Sequence, residues 1–184
     1  GLSQTHSGLE YSFAYRALTF LRLDLVGHFS NWEYAENVSA TYIADAANPD
    51  SPEDYNLYIA GLKVGGAPQR QLNLITTFNQ GPLVISAEVE TSDNYYGSFD
   101  PTSRTSPGDE KTQAYKAPSR MVVNVHAAYT MAVSGYDVGV NLSVFNALNE
   151  KYLGLVQDSD GTIANAKAHM GLPMTWSLGL TLGF

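Results

Sequence analysis

The sequence predicts an all-β fold, an antiparallel transmembrane β-barrel segment of about seven strands, and three observations predict it. The first is the stretch PMTWSLGLTLGF, Pro173 to Phe184, which sets Met174, Trp176, Leu178, Leu180, Leu182 and Phe184 against Thr175, Ser177, Gly179, Thr181 and Gly183. Successive side chains of a strand point to opposite sides, so this ribbon has one oily face and one small, polar face. A barrel strand needs a lipid-facing apolar row about ten residues long, a polar row towards the lumen, and aromatics at its ends. The second observation is that connections alternate short and long along the chain. The third is that no apolar run approaches the roughly 18 residues of a membrane helix, whereas alternation hides the hydrophobicity of barrel strands.

Each element follows from the same period of two. Leu9, Tyr11, Phe13 and Tyr15 alternate with Glu10, Ser12, Ala14 and Arg16, and a tight connection through Ala17 to Phe20 leads into the second strand. There Leu21, Leu23, Leu25 and Phe29 alternate with Arg22, Asp24, His28 and Ser30, running on towards Trp32 and Tyr34. A long polar loop, about 36–67, holds TYIADA and NLYIAG as possible short strands. The third strand runs from about Gln69 to Phe78, and Asn79-Gln80-Gly81-Pro82 is a turn. The fourth sets Leu83, Ile85, Ala87 and Val89 against Ser86, Glu88 and Glu90, before a second long loop at about 93–118. The fifth sets Met121, Val123, Val125, Ala127 and Tyr129 against Asn124, His126 and Ala128. Val133 to Gly135 turns the chain into the sixth, where Tyr136, Val138, Val140, Leu142 and Val144 oppose Asp137, Gly139, Asn141 and Ser143. A third long loop, about 149–172, precedes the last strand.

Long loops thus gather at one end and short turns at the other, as in a bacterial outer-membrane barrel. Phe20, Phe78, Tyr129, Tyr136 and Phe184 fit an aromatic belt at the short-turn end, and Trp32, Tyr34, Tyr95, Tyr96 and Tyr152 a belt at the long-loop end. A soluble β-sandwich shares the alternation but not this asymmetry. Seven strands leave two unpaired edges, which cannot face lipid. The chain therefore reads as the C-terminal part of a larger barrel, residues 1–184, with the remaining strands upstream or on another chain.

Composition narrows the function classes. The net charge of −8 over 184 residues argues against nucleic acid, whose binders need a basic face to replace counterions. Cysteine is absent, which removes disulfides and thiolate metal sites. The opening GLSQTHSG is polar, so any export signal would lie outside this chain.

The segments GGAPQRQLNL, YY followed by FDPTSR, AYKAPSRMVVNVHAAY, VFNALNEKY and GLPMTWSLGLTLGF resemble the C-terminal barrel of TonB-dependent outer-membrane receptors across nearly the whole chain. Asn146 to Tyr152, NALNEKY, is similar to the family's N-L-F-D-x-x-Y ending of the penultimate strand, from which it departs at Ala147, Leu148 and Asn149. The resemblance implies a barrel of 22 strands filled by an N-terminal plug, importing a scarce nutrient such as an iron chelate, cobalamin or a glycan. It implies as partners outer-membrane lipid, the remainder of the barrel and plug, TonB through the absent N-terminal part, and the barrel-assembly machinery. Trp176, Leu178, Leu180, Leu182 and Phe184 would form the assembly signal.

No catalytic constellation, cofactor or metal set is expected, and the protein is not read as an enzyme. His6, His28, His126 and His169 are scattered, with His28 and His126 on the luminal face. Arg16, Arg22, Asp24, Glu88 and Glu90 are inward-facing charges that a plug could pair. Asp158-Ser159-Asp160-Gly161 is similar to the start of a calcium loop but lacks the downstream bidentate Glu, so a plain turn is favoured. Trp32, Tyr34, Tyr58, Tyr95 and Tyr96 with Arg104 are the ligand-facing set, since aromatic faces stack on sugars and chelate rings. Loop acidity (Asp45, Asp50, Glu53, Asp54, Asp109, Glu110) points to a neutral or cationic substrate. The competing readings are a small independent outer-membrane barrel or adhesin, and a secreted carbohydrate-binding β-sandwich.

Overall fold

The computed structural model describes residues 2–43, 52–158 and 160–183. Twelve strands form there: β1 (Gln4–Leu18), β2 (Leu21–Tyr34), β3 (Val38–Ile43), β4 (Pro52–Leu57), β5 (Pro68–Gln80), β6 (Leu83–Tyr96), β7 (Lys116–Ala117), β8 (Arg120–Val133), β9 (Tyr136–Phe145), β10 (Leu153–Gln157), β11 (Lys167–Met170) and β12 (Thr175–Gly183). Seven of them make one antiparallel path in the order β1-β2-β5-β6-β8-β9-β12, with β7 added to β6. The expected seven spanning strands are therefore present in the expected order.

Register keeps one face apolar across the whole sheet. Phe13 pairs with Leu25, Leu25 with Leu74, Leu74 with Val89, and Val89 with Val123. The row continues as Ala127 pairs with Leu142 and Leu142 with Leu178. A slip of one residue in any ladder would exchange the two faces, so continuity of both rows fixes every pairing. Nothing among the described residues packs on the apolar row: Leu180 is 75 % exposed and Trp176 68 %. A sandwich would bury these side chains against a second sheet. The single layer is what a lipid-facing sheet requires.

Turn chemistry accounts for the short connections. Ser134 and Gly135 both have positive φ, 51° and 89°, as a two-residue type I′ hairpin demands. Gly81, at φ 60°, supplies the positive φ of the first central position before Pro82, as a type II′ turn requires. Phe20 and Phe78 meet edge to face at 5.5 Å beside these turns, where the short-turn belt was expected.

Glycine and aromatic cooperate inside the sheet. Tyr11 pairs across from Gly27, and a Cβ on Gly27 would fall 2.4 Å from the Tyr11 hydroxyl. The tyrosine ring covers the strip that Gly27 leaves bare, which shields backbone that would otherwise face hydrocarbon.

The long connections differ from expectation. β6 continues to Tyr96, so the loop expected from residue 93 starts about four residues later. The first connection carries the β3–β4 hairpin and the third the β10–β11 hairpin. Among the described residues β1 and β12 each pair on one side only.

Candidate functional site

The luminal face is polar and largely self-paired. Glu88 sits between two amides: Asn73 donates at 2.7 Å and Asn124 at 3.0 Å. Arg120 donates to Glu90 at 2.8 Å while its guanidinium lies 4.7 Å from the centre of the Tyr152 ring. Arg22 donates to Asp24 two residues along the same row. Alternation brings these charges and amides into reach of one another within the sheet.

Near the loop end of this face, Trp32 meets two imidazoles. His6 stacks on it at 5.6 Å and His28 at 6.1 Å between ring centres. His28 Nε2 also lies 3.1 Å from the Pro68 carbonyl. Where the β2–β5 ladder stops, the Gln69 side chain replaces it, accepting from Trp32 N at 3.2 Å and donating to Trp32 O at 3.0 Å.

Beyond the strands the three long loops form a cap with cores of its own. Tyr34, Leu57, Ile59 and Leu62 bury together, with Val38, Tyr55, Val64 and Phe99 packed on them. Tyr95, Ala117 and Val156 form a second cluster with Tyr115 and Leu153. Hydrogen bonds tie loop to loop. Tyr58 N donates to Arg104 O at 2.7 Å, and Lys63 N to Gln113 Oε1 at 2.9 Å. Ser98 is held on both sides of the third loop, by its own N–H to Val156 O and by Asp158 N to its carbonyl, each 3.0 Å.

Asp158, itself buried, organises this junction. Its carboxylate accepts from the amides of Tyr115 (2.6 Å), Asp160 (3.1 Å) and Gly161 (2.8 Å). That is an Asx-type turn, as expected of this segment, with Ser159 outside the described residues. Asp160 in turn accepts from Asn165 and from the amide and hydroxyl of Thr162. These donors, Asn165 foremost, lower its carboxyl to about 2. The hydroxyl and amide of Thr162's counterpart in the second loop, Thr102, likewise hold the Asp100 carboxyl below its usual range. Among the described residues no group of three His, Cys, Asp or Glu side chains is placed to hold a metal ion.

The expected ligand-facing residues do not form one surface. Tyr34, Tyr95 and Arg104 are buried: Tyr34 meets Phe99 at 5.7 Å, Tyr95 donates to Gly154 O at 3.0 Å, and Arg104 lies over the Phe99 ring at 5.1 Å. They are the inside of the cap rather than its outer face. Trp32 belongs to the luminal row and Tyr96 ends β6, while Tyr58, like Arg104, belongs to a loop backbone. Trp32 and Tyr34 are accordingly not part of a lipid belt. Phe99, Val156 and Asp158 were missed as organisers, because a buried loop contact leaves no periodic trace. A groove of about 470 Å³ lies between Phe99, Asp100, Gln157, Asn165 and Lys167.

Of the expected assembly signal, Trp176, Leu178, Leu180 and Leu182 form an exposed apolar row on β12; Phe184 lies outside the described residues, as do Asp45 and Asp50.

Neither a family model nor a curated protein matches this sequence. Among the solved structures that match in fold, two align over 98 % of the chain. The ferric preacinetobactin receptor BauA of Acinetobacter baumannii aligns with a TM-score of 0.64 at 17 % identity. The siderophore receptor PiuA of the same species aligns with a TM-score of 0.62 at 16 % identity. The chain spans 22 % of the length of each. In fold, this chain is similar to a portion of the β-barrel that those two structures share.

Proposed function

We propose that the chain is the C-terminal barrel part of a TonB-dependent outer-membrane receptor that imports a scarce nutrient, and that it acts in transport rather than catalysis. The observation that carries this reading is the single sheet with an uncovered apolar row from Phe13 to Leu178 and every long loop at one end. Such a sheet is stable only where hydrocarbon covers the row and further strands satisfy the free edges of β1 and β12. The remainder of a 22-stranded barrel would supply those strands, and a plug would meet the luminal row of Glu88, Glu90, Arg120 and His28. Coupling to TonB would lie in the plug portion. Lipid and the barrel-assembly machinery, reading the β12 row, complete the expected partners.

For the substrate, the solved neighbours favour an iron chelate over cobalamin or a glycan, because BauA is a ferric preacinetobactin receptor and PiuA a siderophore receptor. The ligand would enter past the loop cap, with Tyr58 and Tyr96 as the stacking residues left accessible there and Trp32, already stacked on His6 and His28, further in. The test is accumulation of labelled ferric chelates, cobalamin and oligosaccharide by energised cells with and without the gene. Loss of one label's energy-dependent uptake supports the reading. Unchanged accumulation of all three, or recovery of the protein in the soluble fraction, would sink it.

A further inference from the structure

The Arg104 side chain is only 3 % exposed, and its Nε and Nη2 are buried without a hydrogen-bond partner. These two donors are neighbours. Nε–H and the adjacent Nη2–H point in parallel from one edge of the planar guanidinium, the edge that takes both oxygens of a carboxylate at once. The rest of the residue is already committed. Its face lies over Phe99, its N–H donates to Pro101 O at 3.1 Å, and its carbonyl accepts from Tyr58. Asp100, the nearest acid in sequence, directs its carboxylate to the Thr102 amide and hydroxyl at 2.9 and 2.8 Å.

A guanidinium does not escape burial by losing its proton. Left unpaired among Tyr34, Phe99 and the apolar loop core, its charge strongly disfavours this packing, and the same apolar setting strengthens any ion pair formed there. We propose that the Nε/Nη2 edge of Arg104 is a built-in bidentate site for one carboxylate-type oxyanion, filled in the working protein. The anion comes either from solution, through a local opening of the cap, or from an Asp or Glu side chain of polypeptide that packs against this sheet. The acidic loops oppose anions at long range, whereas this site acts only at contact. The inference deepens the receptor reading at the loop cap. Its test reads unfolding and not uptake, so the two stand or fall separately.

The experiment compares the full polypeptide carrying this chain, in detergent, as wild type, Arg104→Met and Arg104→Lys. Thermal unfolding is followed in chloride, citrate and inorganic phosphate at matched ionic strength. A soluble source predicts that citrate or phosphate raises the wild-type midpoint by several degrees. The Met variant gains nothing, and the Lys variant, lacking the fork, gains less. An internal source predicts no anion response, with both variants melting several degrees below wild type. That gap then closes on acidification, as the partner carboxylate takes up a proton. Ionisable groups at the loop ends of the elements around Arg104 include Glu33 and Tyr34 on β2, Glu53, Asp54 and Tyr55 on β4, and Asp100, and the Met variant retains them all as an internal control. A Met variant as stable as wild type with no anion response overturns the proposal. So does a stability gap that ignores both anion and pH.

Discussion

Asn146 ties the end of β9 to the chain just before β12: its Nδ2 donates to Leu172 O at 2.9 Å and, at the same distance, to Glu150 O. Its Oδ1 accepts from Glu150 N at 2.8 Å, and its backbone has a left-handed φ of 49°. Asn149, also left-handed, accepts from Met174 N at 3.1 Å. Asparagine suits both needs, since its short amide tolerates this conformation and bonds nearby backbone. The NALNEKY segment is thus a clamp that delivers Pro173 and the final strand at the right register.

Replacing Asn146 by Ala should cost about 2–4 kcal/mol. It removes three hydrogen bonds, deprives the Glu150 and Leu172 carbonyls of their donor, and leaves a Cβ residue other than asparagine in a left-handed turn. Asn146→Gly should recover about 1 kcal/mol by relieving only the backbone part. Urea unfolding of the refolded protein in detergent micelles measures both. Equal stability of the two variants would show that the backbone conformation contributes nothing.

At the lipid row, Leu180→Arg should destabilise by about 2–4 kcal/mol if the site lies near the bilayer midplane. Thr181→Arg, one residue on and facing the lumen, should cost much less. The comparison is made by reversible unfolding in lipid vesicles. A larger penalty at Thr181 would mean that the faces are assigned the wrong way round.

Gly27→Ala should push the Tyr11 ring off its strip and lower the unfolding midpoint. Adding Tyr11→Ala to that variant should cost less than Tyr11→Ala alone costs in the wild type, because the ring no longer covers the glycine. Strictly additive effects in this double-mutant cycle would remove the contact from the account.

Asp160 should titrate near 2, followed by the carboxyl ¹³C shift of the labelled side chain. Because its folded value is depressed, its contribution to the third loop is complete above the ordinary aspartate value near 3.9. It fades as the pH falls through 2. Asn165→Ala should raise the midpoint towards the ordinary value; an unmoved midpoint would leave the Asn165 amide without a role.

Strand number, order, facing and turns were legible in the sequence because a membrane sheet writes its two faces as strict alternation, as in Leu21 to Phe29 and Met174 to Leu182. The loops obey no period. Ile59, Leu62, Gln69 and Val156 are fully buried, yet each is placed by contacts with residues far along the chain. Tyr34, Tyr95 and Arg104 looked like exposed binding groups for the same reason: aromatic and guanidinium side chains build a small core as readily as a ligand surface. The β3–β4 hairpin was half visible in TYIADA and NLYIAG; the β10–β11 hairpin had too little alternation to stand out.

Ser98 joins its loop to the next through bonds on both sides of Gln157, while Tyr58 and Lys63 join the same loop to the first. The crown of the barrel segment is therefore a woven fabric in which no thread can be exchanged alone. Transplanting one loop from a related barrel would fray the other two, and altered selectivity would have to arrive by replacing all three together.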